Sequence, residues 1–173
     1  LQSDEDRRAS TPTPLHAAPA ATAAGEPLHW LSIEEASARF AAGTLSPVTL
    51  LDAVLERLDA VEPTLHSFVL DMRSSAMAQA EASAGRWAAG TALSAMDGIP
   101  IALKDIYDTE GAITAGGCFA LRDRVPDADA HTVHLLREAG AVFVGKSYTV
   151  EFASGGLLNP QYRDEITPNP WNL

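Results

Sequence analysis

Two short apolar runs, Ile99 to Leu103 and Ala141 to Val144, flank a segment in which Val133, Leu136 and Ala139 recur at helical spacing. A strand, a helix and a second strand in that order constrain the fold strongly, because parallel neighbours need a crossover and a helix supplies it. The expectation is an α/β unit. Asp127 or Asp129 predicts the helix N-cap, and Gly140 predicts its end. Lys104 and Asp105 follow the first run at once, so that strand is expected to be buried, with its charged residues emerging at its C-terminal edge.

Upstream, Ser32-Ile33-Glu34-Glu35 has the form of a capping box, in which a hydroxyl and a carboxylate satisfy free amides at a helix start. This predicts a helix that stops at Gly43. Ser46-Pro47 predicts another, since proline at the first helical position gives up an N–H that would have no partner there. Its apolar face is Val48, Leu51, Val54, Leu55, Leu58 and Val61, running as far as Pro63. Leu65 to Leu70 reads as a short strand, and Arg73 to Ala89, rich in Ala, Met, Gln and Glu, as a helix. Asp108 to Val125, with Gly111, Gly116 and Gly117, reads as irregular backbone with a short helical turn. Residues 1–27 show no sustained period and read as a disordered leader, with order beginning near Trp30, so the domain is expected over 28–173.

Composition narrows the function classes. With 23 acidic against 12 basic residues and a net charge of −11, the surface repels phosphates, which argues against direct nucleic-acid binding. No apolar run reaches 18 residues, so no membrane span is expected and a cytoplasmic location is the default. Cys118 has no second cysteine to pair with and reads as a small buried side chain. His131 and His134 could share a helix face, yet no third ligand completes a metal site, so neither a metal nor another cofactor is expected. Gly140 to Ser147 matches the letters of a phosphate-binding loop. A genuine one follows a strand and opens a helix, whereas here a helix precedes Gly140 and Val142, Phe143 and Val144 are β-prone.

Three segments carry a more specific pattern. They are Gly98-Ile99-Pro100-Ile101-Ala102-Leu103-Lys104-Asp105, then Asp129 to Ala141, then Gly145-Lys146-Ser147-Tyr148-Thr149-Val150-Glu151-Phe152-Ala153. In order and interval, over about residues 30–173, they resemble the amidase-signature family. The resemblance implies an α/β fold with helices around a mixed central sheet, and a metal-independent amide hydrolase with a Ser-Ser-Lys triad. Lys104 matches the triad lysine. A lysine titrates near ~10.4, and burial favours the neutral amine that can accept a proton. Asp105 takes a supporting role, Glu151, Phe152 and Ala153 border the substrate, and Lys146 is a structural contact at a strand end or loop. Cys118 departs from the serine the family often places there, which bears on a loop hydrogen bond and not on the triad.

Asn169-Pro170-Trp171-Asn172-Leu173 resembles the stretch just before the family's Gly/Ser-rich segment. Both serines are therefore expected beyond Leu173, and the chain alone is expected to be inactive until its C-terminal part is supplied. A small-molecule amide is the expected partner, and a homodimer is compatible with the reading. Two other functions fit the same residues: the amidase-like subunit of a glutamine-dependent tRNA amidotransferase, and a non-catalytic binding or assembly module.

Overall fold

The computed structural model describes residues 27–154 and 167–171. The expected leader lies outside these residues apart from Pro27, as do Asn172 and Leu173. Helix α1 (Ile33–Ala41) opens on the anticipated capping box: the Ser32 hydroxyl accepts from the Glu35 amide at 3.2 Å, and the Glu35 carboxylate accepts from the Ser32 amide at 2.9 Å. Helix α2 (Pro47–Leu65) begins with Ser46 accepting from the Thr49 amide at 3.1 Å.

Pro63 does not end α2, which runs on to Leu65 and closes with His66 at φ 48° in the left-handed region. A proline in the last turn removes only its own N–H, and the His66 amide still reaches the Glu62 carbonyl at 2.9 Å. The next strand therefore starts later than expected, as β1 (Phe68–Asp71), and α3 (Arg73–Ala88) follows it closely.

Strand β2 (Pro100–Lys104), helix α4 (His131–Glu138) and strand β3 (Val142–Ser147) form the anticipated crossover, with β2 and β3 parallel. The sheet order is β1-β3-β2, and β1 runs antiparallel to β3, so the sheet is mixed. Neither aspartate caps α4. Its N-cap is Ala130, because Asp129 instead accepts from the Glu110 amide at 2.7 Å and pairs with Arg137 at 2.7 Å. The 3-10 turn Phe119–Leu121 is the helical element of the 108–125 loop, and Cys118 beside it is half-buried rather than enclosed.

Apolar layers cover both faces of β3. Val142 and Val144 pack with Leu51, Ala76 and Ala80 from α2 and α3, whereas Phe143 packs with Leu103 and Val133 on the α4 side. Enclosing Phe143 is worth about 1.5–3 kcal/mol. A third cluster joins Ala36 and Phe40 of α1 to Leu50 and Ile99. Strand β2 is less enclosed than its apolar letters predicted: Leu103 is buried, but Ala102 and Lys104 are exposed. Pairing with β3 alone among the described residues, it buries one face of its pleat.

A bulge interrupts the β2–β3 register. Ile101 faces Phe143, but the next residue, Ala102, faces Gly145, and Leu103 then faces Lys146. The extra residue, Val144, resets the alternation, so Lys146 shares the α4 face with Phe143 although the two are three residues apart. Gly145 and Lys146 thus lie within a strand. This geometry excludes a phosphate-cradling loop, and a Cβ at Gly145 would stand 2.5 Å from the Leu70 carbonyl oxygen.

Candidate active site

Lys104 ends β2 opposite Ser147, and its side chain is exposed on the face away from Leu103. Its backbone is held closely: the Lys104 carbonyl accepts from the Tyr107 amide at 3.0 Å, and the next amide, that of Asp105, donates to the Ser147 carbonyl at 3.0 Å. Asp105 turns the other way and is 1% exposed. Its Oδ2 accepts from the amides of Ala115 at 3.2 Å and Gly116 at 3.1 Å. This carboxylate ties the loop back onto the strand end.

The second lysine is the most enclosed cation among the described residues. Lys146 is 0% exposed, and its ammonium donates to the Tyr107 carbonyl at 2.8 Å and the Thr114 hydroxyl at 2.6 Å, with Asp105 Oδ1 at 3.5 Å. The Thr114 hydroxyl in turn donates to the Ala112 carbonyl at 3.3 Å. Burial pushes the Asp105 carboxyl up, and burial pushes the Lys146 ammonium down, while each charge opposes the other's shift. Deleting one partner of such a buried pair costs about 3–5 kcal/mol. From sequence, Lys146 is expected as a contact at a strand end or loop, and no motif announces this cluster. Its one signal was sparse lysine usage, with only Lys104 and Lys146 among 12 basic residues.

Glu151, Phe152 and Ala153 form a tight turn joined to the same loop, as the Phe152 amide donates to the Gly116 carbonyl at 2.7 Å. Phe152 and Ala153 adopt φ of 50° and 54°, a left-handed backbone that side chains make costly. Asp105 and this turn are thus brought together through Gly116, while Lys104 enters the cluster through its backbone. A cleft of 390 Å³ opens between Ile106, Thr114, Gly116, Leu121 and the exposed Phe152 ring. Asp108 and Arg124 line its polar side in a two-bond pair, both contacts at 2.6 Å, and this pairing with Arg124 holds the Asp108 carboxyl below the usual carboxylate range. Larger clefts, of 460 Å³ between α2 and β1 and of 550 Å³ at the α1–α2 turn, share no residue with it. On α4, His134 lies 3.4 Å from Glu138 and both are exposed.

Comparison with known proteins gives a consistent result. The Amidase family model matches residues 49–173. The chain is 40% identical over 146 residues to the A subunit of the glutamyl-tRNA(Gln) amidotransferase of Syntrophus aciditrophicus, covering 84% of this chain and 30% of that one. The chain therefore spans about 30% of the length of the curated relatives it matches. The peptide amidase of Stenotrophomonas maltophilia superposes with a TM-score of 0.67 at 32% identity, over 73% of this chain and 26% of its own. Fatty acid amide hydrolase shares the fold at a TM-score of 0.72 and 24% identity, over 84% of this chain and 26% of its own. With a mixed α/β sheet and the spaced Lys104, Asp129–Ala141 and Lys146 segments in family order, the chain belongs to the amidase family of amidase-signature enzymes.

Proposed function

We propose that the protein containing this chain hydrolyses small carboxamides without a metal, with Lys104 as its proton-accepting base. One observation carries the reading: Lys104 stands at the carboxyl end of a parallel strand, where α/β sheets bind ligands, and its backbone is pinned by the Tyr107 and Ser147 bonds. Lys104 would take a proton from a bridging serine, which takes one from the nucleophilic serine as its oxygen attacks the amide carbon. The C–N bond then breaks and the relay runs backwards to protonate the departing amine, leaving an acyl-serine for water to hydrolyse. On this reading both serines would come from the part of the protein that lies outside residues 1–173, and those residues alone would show no turnover. That part would also enclose the Lys104 amine, which the described residues leave exposed. Asp105 supports the site by holding the loop, and the strained turn at Glu151, Phe152 and Ala153 would border the substrate.

In the full-length protein, Lys104→Ala should lower ammonia release from benzamide, an amidated dipeptide and glutamine by on the order of 10³-fold or more, while the circular dichroism spectrum is retained. Normal turnover by the folded variant would remove Lys104 from the mechanism. The 40% identity to amidotransferase A subunits favours a second reading, in which ammonia from glutamine is passed to a partner subunit. Glutamine as the one substrate turned over in that panel, together with co-purifying subunits, would select it.

A further inference from the structure

We infer that Lys146 is a positioning residue for the proposed reaction: its buried ammonium locks the turn that follows Lys104 to the 112–117 loop and so fixes where the Lys104 amine stands. The inference rests on the proposed role of Lys104. The partners of the ammonium, the Tyr107 carbonyl, Asp105 and the Thr114 hydroxyl, belong to the two segments that meet at the end of β2. Tyr107 also donates its amide to the Lys104 carbonyl, so one residue is held by both lysines, through its carbonyl and through its N–H. From Asp105 the connection continues through the Gly116 amide and carbonyl to the turn at Phe152.

Filling the space alone would not call for a charge. An apolar side chain of similar length would occupy the position without the desolvation that a buried ammonium suffers, so the cation is set against a geometric requirement. Asp105 and Asp108 favour that charge and Arg124 opposes it. Nor does Lys146 lie on the face of Lys104. It shares the buried face with Leu103, while Lys104, one residue further along β2, is exposed on the opposite face. Its influence on Lys104 passes through the backbone of residues 104–107. The two lysines of the chain thus divide the work between proton transfer and placement.

The test uses the full-length protein with active sites counted by end-point labelling with a fluorophosphonate, which reacts with the nucleophilic serine. A residue that only stabilises the fold changes the count and leaves kcat per labelled site alone. Lys146→Met should lower kcat per labelled site by on the order of 100-fold, on the carboxamide of the panel turned over fastest, with KM within about threefold of wild type. Thr114→Val, which removes the hydroxyl at nearly constant shape, should lower it about 10-fold, and Thr114→Ser should restore it. Wild-type kcat per labelled site in Lys146→Met overturns the inference, and so does wild-type kcat in Thr114→Val if the lysine variant does not fold. An inactive Lys104→Ala beside a fully active Lys146→Met defeats this inference alone, whereas an active Lys104→Ala removes the proposed function and this inference together.

Discussion

The Arg86 guanidinium grips Asp97 with two hydrogen bonds, Nε to Oδ2 at 2.8 Å and Nη2 to Oδ1 at 2.6 Å, joining the end of α3 to the turn that launches β2. Asp97 Oδ2 also accepts from the Leu93 amide at 2.9 Å, and the carboxylate is fully buried. Removing the carboxylate leaves the Arg86 guanidinium, 29% exposed, and the Leu93 amide without this acceptor. Asp97→Ala should therefore lower the stability of the full-length protein by about 1.5–3 kcal/mol, read from its urea midpoint. A shift indistinguishable from that of an exposed substitution such as Asp123→Ala would contradict this.

Acid should act through the same group. Burial alone would raise the Asp97 carboxyl, but the bonds from Arg86 and the Leu93 amide outweigh it and hold Asp97 below the ordinary carboxylate range. Arg137 does the same for Asp129. A carboxylate held low in the folded state protonates more readily when unfolded. Its contribution is present above the unfolded value, near ~3.9, and is lost as pH falls through the folded one. Thermal stability followed from pH 6 down to pH 2.5 should fall below about pH 4, and Asp97→Ala should flatten that fall. An equal slope in the variant would assign acid lability to other groups.

Gly140 lies directly against Asp97. A Cβ there would stand 2.6 Å from Asp97 Oδ1 and 2.9 Å from its Cα, and the backbone has φ of 88°. Gly140→Ala should destabilise by about 2–5 kcal/mol, combining the left-handed penalty with overpacking. Gly85, within α3 with nothing near its Cβ position, should give the opposite sign, about 0.5–1 kcal/mol of stabilisation for Gly85→Ala. Paired denaturation curves decide, and a tolerated Gly140→Ala would refute the steric account.

The α1 capping box offers a local test. Ser32→Ala removes the hydroxyl acceptor for the Glu35 amide and should cost about 1 kcal/mol, seen as faster hydrogen exchange over the first turn of α1. Unchanged exchange there would show that packing of Ala36 and Phe40, rather than the cap, holds the helix start.

Where one short-range interaction decides the structure, the sequence is a sufficient guide. Ser32 with Glu35, Ser46 with Pro47 and the β2–α4–β3 order are of this kind, and the mixed sheet follows from the family pattern. It misleads where a distant group competes. Asp129 could cap α4 but is drawn to Arg137 and the Glu110 amide, and Pro63 suggests a helix end although its position in the last turn makes it tolerable. For the proposed site, the motif nominates Lys104, Asp105 and the 151–153 turn. The Lys146–Thr114 contact joins residues 32 apart in sequence, and no local period announces it.

The bulge at Val144 makes β3 more sensitive to its length than to its letters. Replacing Val144 by another apolar residue leaves every neighbour on its own side of the sheet. Pairing it regularly with Ala102 would abolish the bulge and carry Lys146 from beside Asp105 and Thr114 into the layer of Leu51 and Ala76. A single-codon insertion between Val144 and Lys146 would likewise move an ammonium group through the sheet, whereas loss of Val144 would straighten the strand and leave Lys146 opposite Leu103. Between Phe143 and Lys146 the spacing itself is under constraint, as a reading frame is.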